Sequence, residues 1–310
     1  MNTESPVHDN APGGLSPTAG GDHAAEVREG KRFRFGRNWS QFLGRLNDAR
    51  IAEAERSLRE YLGVDDLEGR TFLDVGSGSG LFSLAARRLG ARVRSFDFDP
   101  DSVACAGELR RRYFPDDPNW IVQEGSALDT RFLKTLGRFD VVYSWGVLHH
   151  TGAMWDALAN VAPLVDEGGM LFVAIYNDCG WTSRAWTAIK RLYNRTPPPL
   201  RFLILVPSFI RFWGPKIAWD LLRGRPFQSW RAYAERRGMS PWYDVVDWVG
   251  GYPYEVATPD EIVAFYHDRG FQLRKLATRR GHACNQFVFD LSHPGERARL
   301  GVGRAEGAKE

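Results

Sequence analysis

Thr71-Phe72-Leu73-Asp74-Val75-Gly76-Ser77-Gly78-Ser79-Gly80-Leu81 is the stretch whose reading decides the fold. A short apolar run ends in an acid, a glycine-dense turn follows, and Leu81-Phe82-Ser83-Leu84-Ala85-Ala86-Arg87-Arg88 opens a helical pattern. Strand, turn and helix in that order form the entry unit of a nucleotide-binding α/β domain. The glycines permit positive φ and let a ligand lie against the main chain. A dinucleotide fingerprint starting at Gly76 needs a glycine at position 81, which is Leu, so a dinucleotide oxidoreductase fails on the glycine order. About 20 residues beyond the loop, Arg92-Val93-Arg94-Ser95-Phe96-Asp97 is a second strand pattern ending in an acid, a placement that suits hydrogen bonding to ribose hydroxyls. Asp99 reads as a helix N-cap with Pro100 in the first turn.

At these residues the sequence resembles the class I S-adenosyl-L-methionine (SAM) dependent methyltransferases. Asp74-Val75-Gly76-Ser77-Gly78-Ser79-Gly80 matches their first motif at every defining position. The resemblance implies that Gly76, Ser77, Gly78 and Gly80 carry the methionine end of SAM and that Asp74 organises the loop and the amino group. It further implies Asp97 on the ribose and Phe98 against the adenine. After the third strand the family often places an acid that reaches the adenine amino group; here the residues are Ser126 and Ala127, and Ser126 can accept that bond. Asp129 is either a second acid of the site or the N-cap of the helix behind it. Trp145-Gly146-Val147-Leu148-His149-His150-Thr151 resembles the corresponding turn of small-molecule methyltransferases of the quinone-biosynthesis type, which puts Trp145 beside the cofactor. The implied fold is α/β and Rossmann-like: a mostly parallel seven-stranded sheet with a closing antiparallel strand and an inserted helical cap.

Residues 1–30 lack an apolar period and read as a disordered tail with no secretory signal. From Arg32 to Leu43 aromatic and basic residues interleave, as a segment packed over the core, a lid on the cofactor or a surface for anionic head groups. Ile51, Ala54, Leu58, Tyr61 and Leu62 recur at helical spacing, giving a leading helix. The SAM-binding core then spans 31–178 and an aromatic, basic insertion spans 179–257. Residues 258–291 complete the sheet, starting with the capping box Thr258-Pro259-Asp260-Glu261, and 292–310 read as a second tail. The insertion holds seven of the eleven tryptophans. Its most apolar run, 200–213, is interrupted by Arg201, Pro207 and Arg211 and is too short to span a bilayer. Lys190, Arg191, Arg195, Lys216, Arg223 and Arg225 flank it. Such a run suits either a cap buried against the core or a monotopic element facing anionic head groups.

A net charge of +3 gives no global sign of a nucleic-acid binder, and none is expected as a partner. Cys105, Cys179 and Cys284 show neither metal spacing nor a disulfide framework, which fits the cytoplasm, with peripheral contact at the inner membrane face as a further expectation. No metal site is expected. Strand ends carry the chemistry in parallel α/β sheets. His149 and His150 are therefore the candidate bases, and Tyr176, Asn177 and Asp178 the candidate acceptor-orienting residues. The expected activity is methyl transfer from SAM to an N or O atom of a small amphipathic acceptor, favoured as a lipid head group or an isoprenoid quinone precursor. Rival readings are a soluble-metabolite or sugar O-methyltransferase, a tRNA or protein methyltransferase, and a non-catalytic SAM-binding regulator.

Overall fold

The computed structural model describes residues 22–36, 43–44, 46–237 and 241–291, with backbone alone for 234–237. The expected tails at 1–21 and 292–310, and the part of the aromatic-basic stretch at 37–42, lie outside the described residues.

In chain order the elements are α1 (His23–Arg28), α2 (Asp48–Leu62), β1 (Thr71–Val75), α3 (Leu81–Arg88), β2 (Arg92–Asp97), α4 (Pro100–Tyr113), β3 (Trp120–Glu124), α5 (Thr130–Lys134), β4 (Phe139–Trp145) and α6 (Met154–Val161). They continue with β5 (Val165–Tyr176), α7 (Trp181–Arg195), α8 (Phe202–Leu222), α9 (Gln228–Arg237), α10 (Pro241–Gly250), α11 (Pro259–His267), β6 (Phe271–Ala277) and β7 (Cys284–Leu291). The strands form one seven-stranded sheet in the order β3-β2-β1-β4-β5-β7-β6. β1 to β5 run parallel, and β7 is antiparallel to both its neighbours. This is the mostly parallel sheet with a reversed strand near one edge that the sequence led us to expect.

Side-chain alternation along the strands builds two cores. Phe72, Val141 and Phe172 pack with Ile51, Leu58 and Leu62 of α2 and with Leu84 of α3 on one face. Leu73, Val142 and Leu171 pack with Leu158 of α6 and with Ile262 and Tyr266 of α11 on the other. Local signals fix the helix ends, among them the capping box read from the sequence. Asn47 caps α2 through its side chain, Gly63 closes it in the left-handed region, and Thr258 and Glu261 form a reciprocal capping box on α11. β1 pairs with β2 on one side and β4 on the other, so the chain reverses direction across the sheet at the glycine loop. A crevice opens there, beyond the strands' carboxyl ends.

One segment departs from expectation: α1 forms at residues 23–28 where composition suggested only a tail. Asp22 accepts from the amides of Ala24 and Ala25 to start it. Its anchorage is tertiary: Arg32, just behind it, donates to the carbonyls of His150 (2.8 Å) and Thr151 (3.3 Å). The insertion is the expected helical cap, and it has its own core. Tyr193, Leu205, Trp213, Val245 and Val249 are buried there, with Trp186, Trp230 and Trp248 packed around them, so four of the seven tryptophans serve the core of a small helical layer. Phe33 joins that core and its amide donates to Tyr252 O (2.8 Å), tying the N-terminal segment to the cap.

Candidate active site

Where β1 meets α3 the chain must turn sharply, and Gly76, Gly78 and Gly80 all take positive φ. A side chain at Gly76 would stand 2.3 Å from Val147 Cγ1, so the loop and the turn after β4 pack too closely for any other residue. Asp74 lies one residue inside the strand end, fully buried. It accepts from Ser83 Oγ (2.5 Å) across the first turn of α3. Burial pushes its carboxyl up to about 7, against the opposing pull of the Ser83 hydrogen bonds. Asp97, at the end of β2, accepts from Gly78 N (2.9 Å) through one oxygen and from Asp99 N (2.9 Å) through the other. It thus clamps the glycine loop to the second strand, and burial raises it to about 6.

These residues form one end of a cavity of 490 Å³. That end is lined by Asp74, Gly76, Ser77, Gly78, Asp97 and Phe98, by Ser126 and Ala127 from the turn after β3, and by Trp145 at the end of β4. Phe98 lies between His23 (ring centroids 5.4 Å apart) and the Arg32 guanidinium (4.9 Å from its centroid), so α1 and the segment behind it form the rim. The opposite end is aromatic: Phe33, Phe35 and Tyr176 line it with His150 and Asp244, the last contributed by α10 of the cap.

The adjacent histidines separate. His150 lines the cavity, while His149 does not. His150 Nδ1 lies 2.5 Å from Pro253 O. A carbonyl can only accept, so Nδ1 carries the proton and Nε2 carries a lone pair. Burial holds this imidazole neutral, down to about 3. His149 is fully buried, packs against the Tyr176 ring with centroids 4.1 Å apart and planes tilted by 39°, and accepts from Tyr176 N (3.4 Å), which leaves its Nε2–H without a partner. Its place is in the packing behind the cavity wall.

Asn177 and Asp178 also stand outside the cavity lining. Asn177 Oδ1 accepts from Asn285 Nδ2 (2.9 Å), and Asp178 Oδ1 accepts from Gly180 N (2.8 Å). Asp178 N donates to Ala257 O (3.1 Å), so these two residues pin the point where the cap leaves the sheet to the point where it returns. Gly80 sits at the start of α3 rather than in the lining; a Cβ there would meet Ala106 Cα at 2.8 Å, so it serves the α3–α4 contact. Asp129 resolves as an N-cap, accepting from the amides of Arg131 and Phe132.

Sequence reasoning missed Tyr143 and Asp244. Tyr143 is on β4, with a buried hydroxyl that has no partner although the residue lines the cavity. Its strand position and polarity were the available signals. Asp244 enters from a helix 100 residues further along, and nothing local marks it.

The site fits SAM on its own observations. The buried Ser77 and Tyr143 hydroxyls await partners, the Asp97 carboxylate matches a diol, and the apolar walls match a thioether chain and a base. Comparison with known proteins agrees. Residues 73–171 match the family model of a methyltransferase domain. The chain is 28% identical over 170 residues to the ubiquinone biosynthesis O-methyltransferase of Methylobacterium sp. (strain 4-46), covering 49% of this chain and 64% of that protein. It is 25% identical over 226 residues to the protein of the same name in Methylocella silvestris, covering 66% and 77%. To the tRNA U34 carboxymethyltransferase of Pseudoalteromonas translucida it is 33% identical over 109 residues, 35% of this chain and 32% of that one. Matches to the first curated relatives span 64% or less of their length. Among solved structures, PKMT2 from Rickettsia typhi shares the fold at 14% identity with a TM-score of 0.51, over 78% of this chain and 52% of that one. The chain carries a class I methyltransferase domain, and the methyl donor of that domain is S-adenosyl-L-methionine.

Proposed function

We propose that the protein transfers a methyl group from SAM to an N or O atom of a small amphipathic acceptor, of the class of lipid amino head groups or isoprenoid quinone precursors. The observation that carries this reading is the two-ended cavity. The glycine loop, Asp97 and Phe98 build one end, and an aromatic chamber with two polar groups, His150 and Asp244, builds the other. The similarity to proteins named ubiquinone biosynthesis O-methyltransferase supports the acceptor class.

When bound, the cofactor supplies an electrophilic methyl carbon on a sulfonium. The chain's own work is then to position and to exclude water. Asp97 holds the loop through Gly78 N and presents its carboxylate to the ribose. Phe33, Phe35 and Tyr176 wall the acceptor end. His150 Nε2 accepts the hydrogen bond of the acceptor's O–H or N–H, orienting a lone pair towards the methyl carbon; an O–H acceptor passes its proton to Nε2 as the new bond forms, whereas an amine keeps its proton as the product ammonium. Asp244, one oxygen of which accepts from Tyr233 Oη (2.5 Å), offers a carboxylate to a second donor group of the acceptor.

The test is turnover of labelled SAM with lipid-extract and aqueous-metabolite fractions, using wild type and His150→Ala. The reading expects label in an organic-phase product and its loss in the variant with cofactor affinity kept. Label confined to the aqueous phase would move the acceptor to a soluble metabolite. Label in added tRNA would overturn the acceptor class.

A further inference from the structure

The cap presents a face that a water-facing helix would not. α8 buries Leu205 and Trp213 and half-buries Phe209 and Phe212 against the cap core. On the opposite side Leu203, Val206, Ile210 and Leu221 point outward, 59%, 44%, 60% and 59% exposed. Their spacing places them on one line along the helix, about 27 Å from end to end at 1.5 Å per residue. Pro207, Ala218 and Leu222 border the line, and Arg211 is the charge within it. The outward side of α2 shows the ordinary pattern instead, with Asp48, Glu53, Arg56 and Glu60 exposed. Burying all these side chains in the cap is not how the structure resolves them.

Charge along this part of the chain is one-sided. Between Trp181 and Arg237 the sequence holds twelve Lys or Arg against two acids, in a chain of net charge +3. One of the acids, Asp220, is buried and accepts from Ser229 N and Oγ. Arg223 and Lys216 lie over the rings of Trp219 (4.4 Å) and Trp213 (4.6 Å), so cations and aromatic rings stack together along α8. Trp219 and Phe227 are themselves more than half exposed. No described helix is long and apolar enough to cross a membrane, so the face is not one side of a span.

We propose that the exposed line of α8 docks on the surface of an anionic lipid bilayer, with Leu203, Val206, Ile210, Leu221 and Leu222 in the acyl boundary and Arg211, Lys216, Arg223 and Arg225 among the head groups. Burial of an apolar line provides an attraction independent of salt, and the cations add an attraction to anionic lipid that salt screens. An RNA partner fits poorly, because a row of Leu, Val and Ile offers nothing to phosphates or base edges. This inference stands apart from methyl transfer, and its test involves no turnover.

Full-length protein is sedimented with vesicles of equal parts phosphatidylcholine and phosphatidylglycerol. Pure phosphatidylcholine vesicles and bulk tRNA serve as comparators. Binding to the anionic vesicles is expected, weakened by added salt and weaker on pure phosphatidylcholine. Leu203→Glu with Ile210→Glu lowers vesicle affinity at least roughly tenfold while SAM affinity is kept, since each change removes one buried leucine- or isoleucine-sized contact. Arg223→Gln with Arg225→Gln reduces the salt-sensitive part alone. Should the first pair disturb folding, Leu221→Ser with Leu222→Ser at the exposed end of the helix gives the same reading. Absence of binding to anionic vesicles overturns the proposal. So does binding that the face variants leave unchanged, retention by tRNA in place of vesicles, or a face-dependent dimer that ignores lipid.

Discussion

Asp97 connects the most of the site through one side chain. Its two backbone hydrogen bonds, to Gly78 and Asp99, fix the loop that the cofactor lies on. Asp97→Ala therefore weakens SAM binding by roughly ten- to a hundredfold in calorimetry, because charge-assisted hydrogen bonds contribute about 1.5–3 kcal/mol each. Its carboxyl, raised to about 6 by burial, also sets a pH dependence. The ionised form is the acceptor, so affinity falls as pH drops through about 6, and Asp97→Asn flattens that profile. Asp74 acts on stability with the opposite sign. Its folded-state value of about 7 lies above that of an unfolded aspartate, so the folded chain holds the proton more tightly. Stability from this group is fully present below about pH 4 and is lost as pH rises towards 7. Asp74→Asn should raise the Tm of the cofactor-free protein at pH 8, by an amount that narrows towards pH 4. The two histidines divide in the same way. His150→Ala costs turnover, on the order of 10²-fold. His149→Ala costs stability, roughly 2–4 kcal/mol by denaturant titration, through the hole it leaves against Tyr176. Since His150 stays neutral down to about 3, the kcat profile carries no histidine limb near the ordinary imidazole value. From sequence the pair could not be told apart, because one residue along a 3₁₀ turn decides which ring meets the cavity.

At the scale of elements, whatever depended on local pattern was legible. The glycine loop, the N-cap at Asp99 and the capping box at Thr258 were each readable from a few adjacent residues, whereas Asp129 stayed open between cap and site acid. Helix α1 was not, because its six residues are too short to be stable alone and depend on contacts some 120 residues away. The insertion was read as a helical cap, but not its four separate helices or their own core, since its period is blurred by apolar residues on both sides of α8. The segment that holds α1 yields a prediction of its own. Arg32 bonds two carbonyls at the end of the β4 turn, pairs with Glu26 and covers Phe98. Arg32→Ala should loosen the rim and raise the SAM dissociation rate in stopped-flow measurements more than it lowers the association rate. A change confined to the association rate would mean that the segment plays no part in retaining the cofactor.

Across the whole molecule, two layers have been given different work. The sheet and its flanking helices build the cofactor end from residues 74–98 and 125–146, and this half was legible because its motif is continuous in sequence. The acceptor end is assembled from Phe33, His150, Tyr176 and Asp244, more than 200 residues apart in the chain, and only folding brings them to one cavity. The same helical layer that supplies Asp244 carries the exposed apolar line of α8, so acceptor choice and surface docking reside in one unit while the core serves the donor. Methyl transfer to an amphipathic acceptor is tested directly by incubating the protein with methyl-labelled SAM and a bacterial extract parted into organic and aqueous phases. Label in an organic-phase product, absent with Asp97→Ala and with His150→Ala, is the predicted result. SAM bound with normal affinity and no label in any phase, RNA or protein included, would contradict it and make the domain a cofactor-binding module without transfer chemistry.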